Sequence, residues 1–423
     1  MYPNLYYFFK ETFGVAIGPL RFINSFGFFV AISFLVAAAL LAAELRRKSK
    51  QGLFAPTEMK HVVGKPATAI ELILNFLLGF VLGYKIIALF FTSSEATQDP
   101  QAYIFSGMGN WPAGIITGLV FAWLKWWEKN KHKLDRPEER VVRIWPQDRV
   151  GELTIIALVV GLAGAKLFDI FENWSDFLKD PAAYIFSGGG LTFYGGLICA
   201  ALAIVFYAKK HKIGVRYLAD AIAPSLMIAY AIGRIGCQVA GDGDWGIYNT
   251  AYKVDSSNQI VAAVPEDFQA AIQNHGDYFL NHPNLQHKPV SKPFDFLPNW
   301  LMAYNYPHNV NEVGVPIGGC NERYCRQLPV PVYPTPFYET IMCTLLFLVL
   351  WGLRDKLRPA GALFALYLIL NGAERFLIEK IRVNNKMELF GFHPTQAEVL
   401  AVVLMLTGAV LWFYLRQKYR ARA

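Results

Sequence analysis

Arg234 stands in GRIGCQVAGDGDWG, residues 233 to 246, at the end of an apolar run long enough to be a membrane helix. A guanidinium in or near hydrocarbon costs about 2.5–3.5 kcal/mol on insertion scales, so an ionisable residue there is read first as part of a functional site. A second charged set lies in RFLIEKIR, residues 375 to 382, where Arg375, Glu379 and Arg382 recur at i, i+4 and i+7. On a helix they share one face, with Glu379 in reach of either arginine. Such arginines suit the grip of a phosphate, because the planar fork meets its oxygens bidentately and keeps its charge at low dielectric. Asp242 and Asp244 follow Arg234 in a Gly-rich turn. Either can orient the arginine or take up a proton; Asp242 is expected nearer to it, with Asp244 and Trp245 shaping the mouth. Plainer readings stay open: a snorkelling Arg234, a solvated stripe at 375–382, and an Asp-Gly turn with an interfacial Trp.

Glycines surround these groups. GGLTFYGGLI, residues 189 to 198, carries paired glycines at both ends, and Gly233, Gly236 and Gly246 flank the arginine turn. Gly195 and Gly196 would let a lipid-sized ligand or a neighbouring helix approach the backbone. Tyr194, just before them, offers a phenol that serves as acid or base if an arginine lowers its pKa, or an interfacial ring that hydrogen-bonds lipid. Cys237 places a thiol beside the arginine, only a weak donor. The eight histidines show no ligand spacing with cysteine or carboxylate, so no metal site and no cofactor is expected.

The elements that must position these residues read as an all-α polytopic membrane protein. The chain has 423 residues, 54% hydrophobic and only 17% charged, which is too apolar for an ordinary soluble protein. Its formal charge of +8 lies in short clusters between apolar runs rather than in one patch, a topology signal that argues against a nucleic-acid partner. Runs long enough to span a bilayer fall at roughly 23–44, 67–92, 110–127, 152–171, 189–208, 217–236, 336–353, 359–380 and 396–415, about nine spans. Clusters after the first, third, fifth, seventh and last runs, from Arg46–Lys50 to Arg416–Arg422, predict an outside N-terminus and a cytoplasmic C-terminus. The first run carries its positive cluster on its C-terminal side, opposite to a cleavable signal peptide, and is expected to be retained.

DPQAYIFSG at 99–107 recurs as DPAAYIFSG at 180–188, and the same offset of 81 aligns Lys85 with Lys166 and Glu71 with Glu152. This predicts two parallel copies of a helical hairpin, 59–131 and 141–212, unlike the inverted repeats of many transporters. The first copy has MGNWPAGI where the second has GGLTFYGG, so the second is expected to build the site and the first to buttress it. Residues 247–333 contain no spanning run and are too long for a simple connection, which predicts a small extracytoplasmic cap. Cys320 and Cys325 within it are either a local disulfide or two free thiols. Cys199 and Cys343 read as small core residues.

The Gly-rich segment at 189–198, the Arg234 segment and RFLIEKIR, in this order, resemble the prolipoprotein diacylglyceryl transferase family of bacterial inner membranes. The resemblance implies transfer of diacylglycerol from phosphatidylglycerol to the thiol of a lipobox cysteine in a prolipoprotein signal peptide, giving a thioether and glycerol phosphate. It implies catalytic roles for Arg234, Tyr194, Arg375, Glu379 and Asp242. Substrate binding, of membrane lipid and peptide, would fall to Gly195, Gly196, Gly233, Gly236, Cys237, Asp244, Gly246, Tyr338 and Arg382. The cavity would be lined by the second repeat copy, the Arg234 segment and the eighth span. Several positions depart from the family pattern: Tyr194 stands for a histidine, Cys237 for an asparagine, Asn371 for a tyrosine and Tyr333 for a histidine, and the Asp242–Asp244 turn is one residue longer where a glutamate is usual. Pro334, Tyr338 and Glu339 of VYPTPFYE fit. Without the histidine the obvious base near neutral pH is missing, which leaves a noncatalytic lipid- or peptide-binding or transport protein as the alternative, and a transferase with another donor or acceptor as a third.

Overall fold

The computed structural model describes residues 1–87, 107–186, 192–384, 386–388 and 391–420. All but the last residue of the first repeat motif (99–106), its counterpart's last residues (187–188) and Gly189, Gly190 and Leu191 of the Gly-rich segment lie outside them. Six helices among the described residues are long and apolar enough to cross a membrane: Ser25–Lys50, Ala69–Ile86, Pro146–Glu172, Val215–Ala240, Thr335–Leu353 and Gln396–Tyr419. The other three expected runs are also helical, as Trp111–Lys131, Phe193–Lys210 and Ala362–Glu379, each with charged residues inside it or at its end. The architecture is that of a mostly helical, polytopic membrane protein.

The chain divides into two compact units, Leu45–Val215 and the combination of Met1–Glu44 with Arg216–Ala423. Within Leu45–Val215, helix Ala69–Val81 and the wider turn Leu82–Ile87 pair with Trp111–Lys131, and Val150–Glu172 pairs with Phe193–Lys210. Glycine makes both contacts close. A methyl on Gly114 would meet the Phe80 ring at 2.9 Å, and one on Gly195 would meet the Gly164 carbonyl at 2.7 Å. The offset of 81 carries Gly83 onto Gly164 and Gly114 onto Gly195, so the same two positions bring the backbones together in each hairpin, as small residues do between membrane helices. Gly196 packs in the same way on Gly161. Of the two expectations for the Gly195–Gly196 pair, the approach made here is that of a neighbouring helix.

A ribbon missing from the sequence expectations joins the hairpins. Thr57–Val63 pairs antiparallel with Glu138–Ile144, Thr57 opposite Ile144, Lys60 opposite Val141 and Val63 opposite Glu138. The offset of 81 superposes these two strands, so Lys60 faces its own repeat counterpart. That is the arrangement of an isologous pair, with one surface meeting itself about a local two-fold.

In the other unit, helices Ala362–Glu379 and Gln396–Arg420 approach through Gly372 and Gly408, each of whose added methyls would fall 2.7 Å from a carbonyl of the opposite helix. Asp220 of helix Val215–Ala240 caps Ala362–Glu379 from outside, its two oxygens accepting from Gly361 N (2.7 Å) and Phe364 N (2.9 Å), a job that a local side chain usually does. Met227, Ala231, Cys343, Leu350 and Leu363 interlock the three helices Val215–Ala240, Thr335–Leu353 and Ala362–Glu379. Residues 247–333 form a module with a core of their own, built on Tyr248, Phe268, Phe279, Tyr306, Leu328, Val330 and Val332. The module carries helices Pro265–Asn274 and Gly276–Asn281 and two short antiparallel ladders, Tyr252–Val254 with Ile260–Ala262 and Val315–Pro316 with Arg326–Gln327. Cys320 and Cys325 are joined in a disulfide that closes the second ladder's loop.

Candidate functional site

Four stretches of the Arg216–Ala423 unit bring charge to one place. Arg234 comes from the last turns of helix Val215–Ala240, Asp244 from the turn after it, Glu339 from the first turns of Thr335–Leu353, and Arg375 and Glu379 from the end of Ala362–Glu379, followed by Arg382. Glu339 is the hub and is fully buried. Its carboxylate takes Arg234 Nε at 3.1 Å, Arg375 Nη1 at 3.5 Å and Arg382 Nη1 at 3.5 Å, and accepts the Tyr230 hydroxyl at 2.8 Å. Asp244 is the second anchor: Arg382 Nη2 reaches Oδ1 at 2.6 Å while Arg234 Nη1 ion-pairs with Oδ2. One guanidinium therefore serves each carboxylate oxygen. Arg375 Nη2 also meets Glu379 Oε2 at 3.0 Å, and Glu379 Oε1 is held by Thr395 Oγ1 at 2.7 Å and by Asn384. Three guanidiniums face three carboxylates, which is how buried charges are tolerated.

Two sequence expectations change. The aspartate on Arg234 is Asp244, not Asp242, because Gly241 (φ +64°) and Gly243 (φ +96°) reverse the chain in the left-handed region and swing Asp244 back over the helix end. Asp242 lies beside Cys237 instead, its carbonyl held by Asn311 Nδ2 at 2.7 Å. Arg382, moreover, is not on the helix face shared by Arg375 and Glu379. The helix ends at Glu379, and Arg382 sits in the turn beyond, bridged to Gly246, with Ile247 N donating to Ile381 O at 2.8 Å. Glu379 accordingly holds Arg375 alone of the two arginines.

The remaining expected residues fall in different places. Gly233 has open space where a side chain would be, whereas Gly236 packs on Phe26 and Phe29 and Gly246 on Thr335 and Tyr333. Tyr338 donates its hydroxyl to Leu301 O at 2.7 Å, tying helix Thr335–Leu353 to the 247–333 module. Tyr194 is half-buried in the second turn-forming position of helix Phe193–Lys210 and, with Gly195 and Gly196, belongs to the Leu45–Val215 unit. The sequence reading underrated Glu339 and did not single out Tyr230 or Glu374, a carboxyl 2% exposed on the same helix as Arg375. Each was detectable by the signal that marked Arg234, a polar group inside an apolar run.

Electrostatics separates the two aspartates. Burial works to raise the Asp244 carboxyl, but the Arg234 and Arg382 guanidiniums outweigh it and hold the group below its ordinary 3.8. Burial raises Asp242 above that value, with the Asp244 charge adding to the effect. Asp242 is therefore a stronger base than an ordinary carboxylate, and Asp244 a weaker one. Cys237, Asp242 and Asp244 each offer a ligand atom within 4.8 Å of the others. A cation there would compete with the two guanidiniums that already neutralise Asp244.

The cluster thus holds three guanidiniums against three carboxylates, with the raised Asp242 carboxyl at its edge. Residues 113–414 match the model of the prolipoprotein diacylglyceryl transferase family. The chain is 28% identical over 332 residues to a phosphatidylglycerol–prolipoprotein diacylglyceryl transferase of Dehalococcoides mccartyi, covering 77% of this chain and 97% of that one. It is 27% identical over 281 residues to one of Shouchella clausii, with 66% and 79% covered, and 25% identical over 313 residues to one of Vibrio vulnificus, with 72% and 87% covered. With the arginine cluster and most of the chain inside that match, the protein belongs to the prolipoprotein diacylglyceryl transferase family.

Proposed function

We propose that this chain transfers the diacylglyceryl group of phosphatidylglycerol to the thiol of a lipobox cysteine in prolipoprotein signal peptides, in a bacterial inner membrane. The observation that carries the mechanism is the convergence of Arg234 and Arg382 on the two oxygens of Asp244. Asp244 stands where a departing phosphate would stand, and its side chain is 38% exposed, on the side from which the lipid would enter in this reading. Once it swings out, the arginines present an unbalanced positive cradle to two phosphate oxygens.

The thiol sulfur attacks the glyceryl carbon that bears the phosphate. The C–S bond forms as the C–O bond breaks, and the electron pair leaves on glycerol phosphate, where the guanidiniums stabilise the charge. Asp242 receives the thiol proton, as the raised carboxyl at the cradle's edge. Glu339 and Glu379 do not touch substrate; they fix the forks of Arg234, Arg375 and Arg382 in position, with Tyr230 completing the hydrogen bonding of Glu339.

Nine spans, an outside N-terminus, a cytoplasmic C-terminus and an extracytoplasmic 247–333 module fit the alternation of basic connections. The two hairpins, matched at Gly83/Gly164 and Gly114/Gly195, are read as repeat copies, the second bearing the chemistry through Tyr194. Tyr194 in the family's histidine position favours a second reading, a lipid- or peptide-binding protein without turnover. Purified protein with labelled phosphatidylglycerol and a lipobox peptide decides between them: label on the peptide, and none on its Cys→Ser counterpart, supports the transferase, whereas no label on either supports the binder.

A further inference from the structure

The 247–333 module contains a cavity of about 660 Å³ that the transfer chemistry does not use. One wall is made by helices Pro265–Asn274 and Gly276–Asn281, which are anchored in the module's core through Phe268 and Phe279. The other is the segment Glu312–Pro316, laddered against Arg326–Gln327 and braced by the Cys320–Cys325 disulfide. Both walls are fixed by packing or covalent closure, so the space is preformed. The second wall begins at the catalytic turn. Val310 N donates to Ala240 O at 3.0 Å and Asn311 Nδ2 to Asp242 O at 2.7 Å, and the next residue, Glu312, already lines the cavity. The cavity lining thus starts one residue beyond the segment that touches the Asp242 turn.

The lining indicates which molecule fits. Asn274, Gln273 and Asn281, whose Nδ2 also donates to Asp277 O at 3.0 Å, offer amide donors and acceptors, the pattern that meets peptide backbone regardless of sequence. Acyl chains would find only the short apolar strip of Val313, Val315 and Pro316 opposite these groups. A phosphate would face Asp277 and Glu312 with a single arginine, Arg326, whose Nη1 already donates to Gly314 O at 2.8 Å. We infer that this cavity binds the extended polypeptide just downstream of the acceptor cysteine, making it a second recognition site for the peptide substrate, separate from the cradle that grips the lipid. The inference rests on the transferase reading.

It is tested with the full chain in phosphatidylglycerol vesicles and two lipobox peptides that are identical through the cysteine. One ends a residue later, and the other continues for about eight polar residues. The wild-type chain is expected to show a KM at least fivefold lower for the long peptide at similar kcat. Asn274→Ala with Asn281→Ala is expected to abolish that advantage while leaving the short peptide's kcat and KM unchanged. Equal KM values for the two peptides in the wild type, or an equal loss on both peptides in the variant, would overturn the inference while leaving transfer itself established. Absence of transfer to either peptide by the wild type would overturn the transferase reading and this inference together.

Discussion

Charge enters apolar helices in both units, but by different designs. In Leu45–Val215, Lys166 pairs with Asp169 three residues along the same helix at 3.7 Å and lies over the Tyr184 ring at 4.6 Å. In the other unit, Arg234, Arg375 and Arg382 take carboxylate partners from three separate stretches of sequence, at Asp244, Glu339 and Glu379. A pair made within one helix can form wherever that helix goes and stabilises it locally. A network drawn from several segments holds only when the whole fold is assembled, and it fixes each fork in three dimensions, as catalysis requires. The contrast is the reason for proposing the phosphate grip at the convergent cluster and a supporting role for the Lys166–Asp169 pair.

Breaking the hub is expected to have the largest effect. Glu339→Ala leaves three guanidiniums short of a buried partner and should destabilise the protein by about 3–5 kcal/mol, read as a lowered unfolding temperature in detergent together with lost transfer. Lys166→Met should lower the unfolding temperature by less and leave the rate per folded molecule within a few fold of wild type. A specific rate reduced a hundredfold in Lys166→Met would erase the distinction between the units.

The glycine contacts sharpen the comparison within Leu45–Val215. Gly83→Val and Gly164→Val overpack equivalent positions and should each cost about 1–3 kcal/mol, measured by thermal unfolding. If only the second copy bears chemistry, Tyr194→Phe should cut transfer sharply at unchanged stability, whereas Ala113, at the corresponding position of the first copy, should accept Ser with little change in rate. Equal activity losses at the two positions would make the copies functional equals.

Acid has the smallest expected effect and separates the aspartates. Asp244 is held below 3.8, so its contribution to stability is fully present above that value and is lost only as the pH falls through its depressed folded-state value. Unfolding temperature should therefore be insensitive to this group from neutral pH down to about 4. Asp242 is raised above 3.8, which disfavours the fold above its folded-state value and is relieved as the pH falls through it. Transfer should accordingly decline at a pH where Asp244 is still ionised, and Asp242→Asn should lower the plateau and remove that limb. A limb that persists in Asp242→Asn would place the base elsewhere.

Much of this was legible in the chain. Arg234, Arg375 and the apolar runs announced themselves because charge in hydrocarbon is costly and rare. What escaped depends on contacts between distant segments. The exchange of Asp242 for Asp244 follows from two left-handed glycines, and the helix end at Glu379 from the bridge between Gly246 and Arg382. Glu339 as hub is visible only once three helices pack. The Thr57–Val63 ribbon lies in charged connections; the offset of 81 relates it to its partner Glu138–Ile144, but strand pairing is non-local and depends on context.

The central claim, that the arginines grip the departing phosphate, is tested most directly at Arg234. Arg234→Ala and Arg234→Lys are compared with wild type in vesicles of phosphatidylglycerol, with the unfolding temperature of each variant measured alongside. Loss of about 1.5–3 kcal/mol for each charged hydrogen bond removed predicts that kcat/KM for the lipid falls by about a hundredfold or more in Arg234→Ala. Arg234→Lys should recover little of it, since an ammonium lacks the planar fork. A folded Arg234→Ala that transfers within threefold of wild type would contradict the claim.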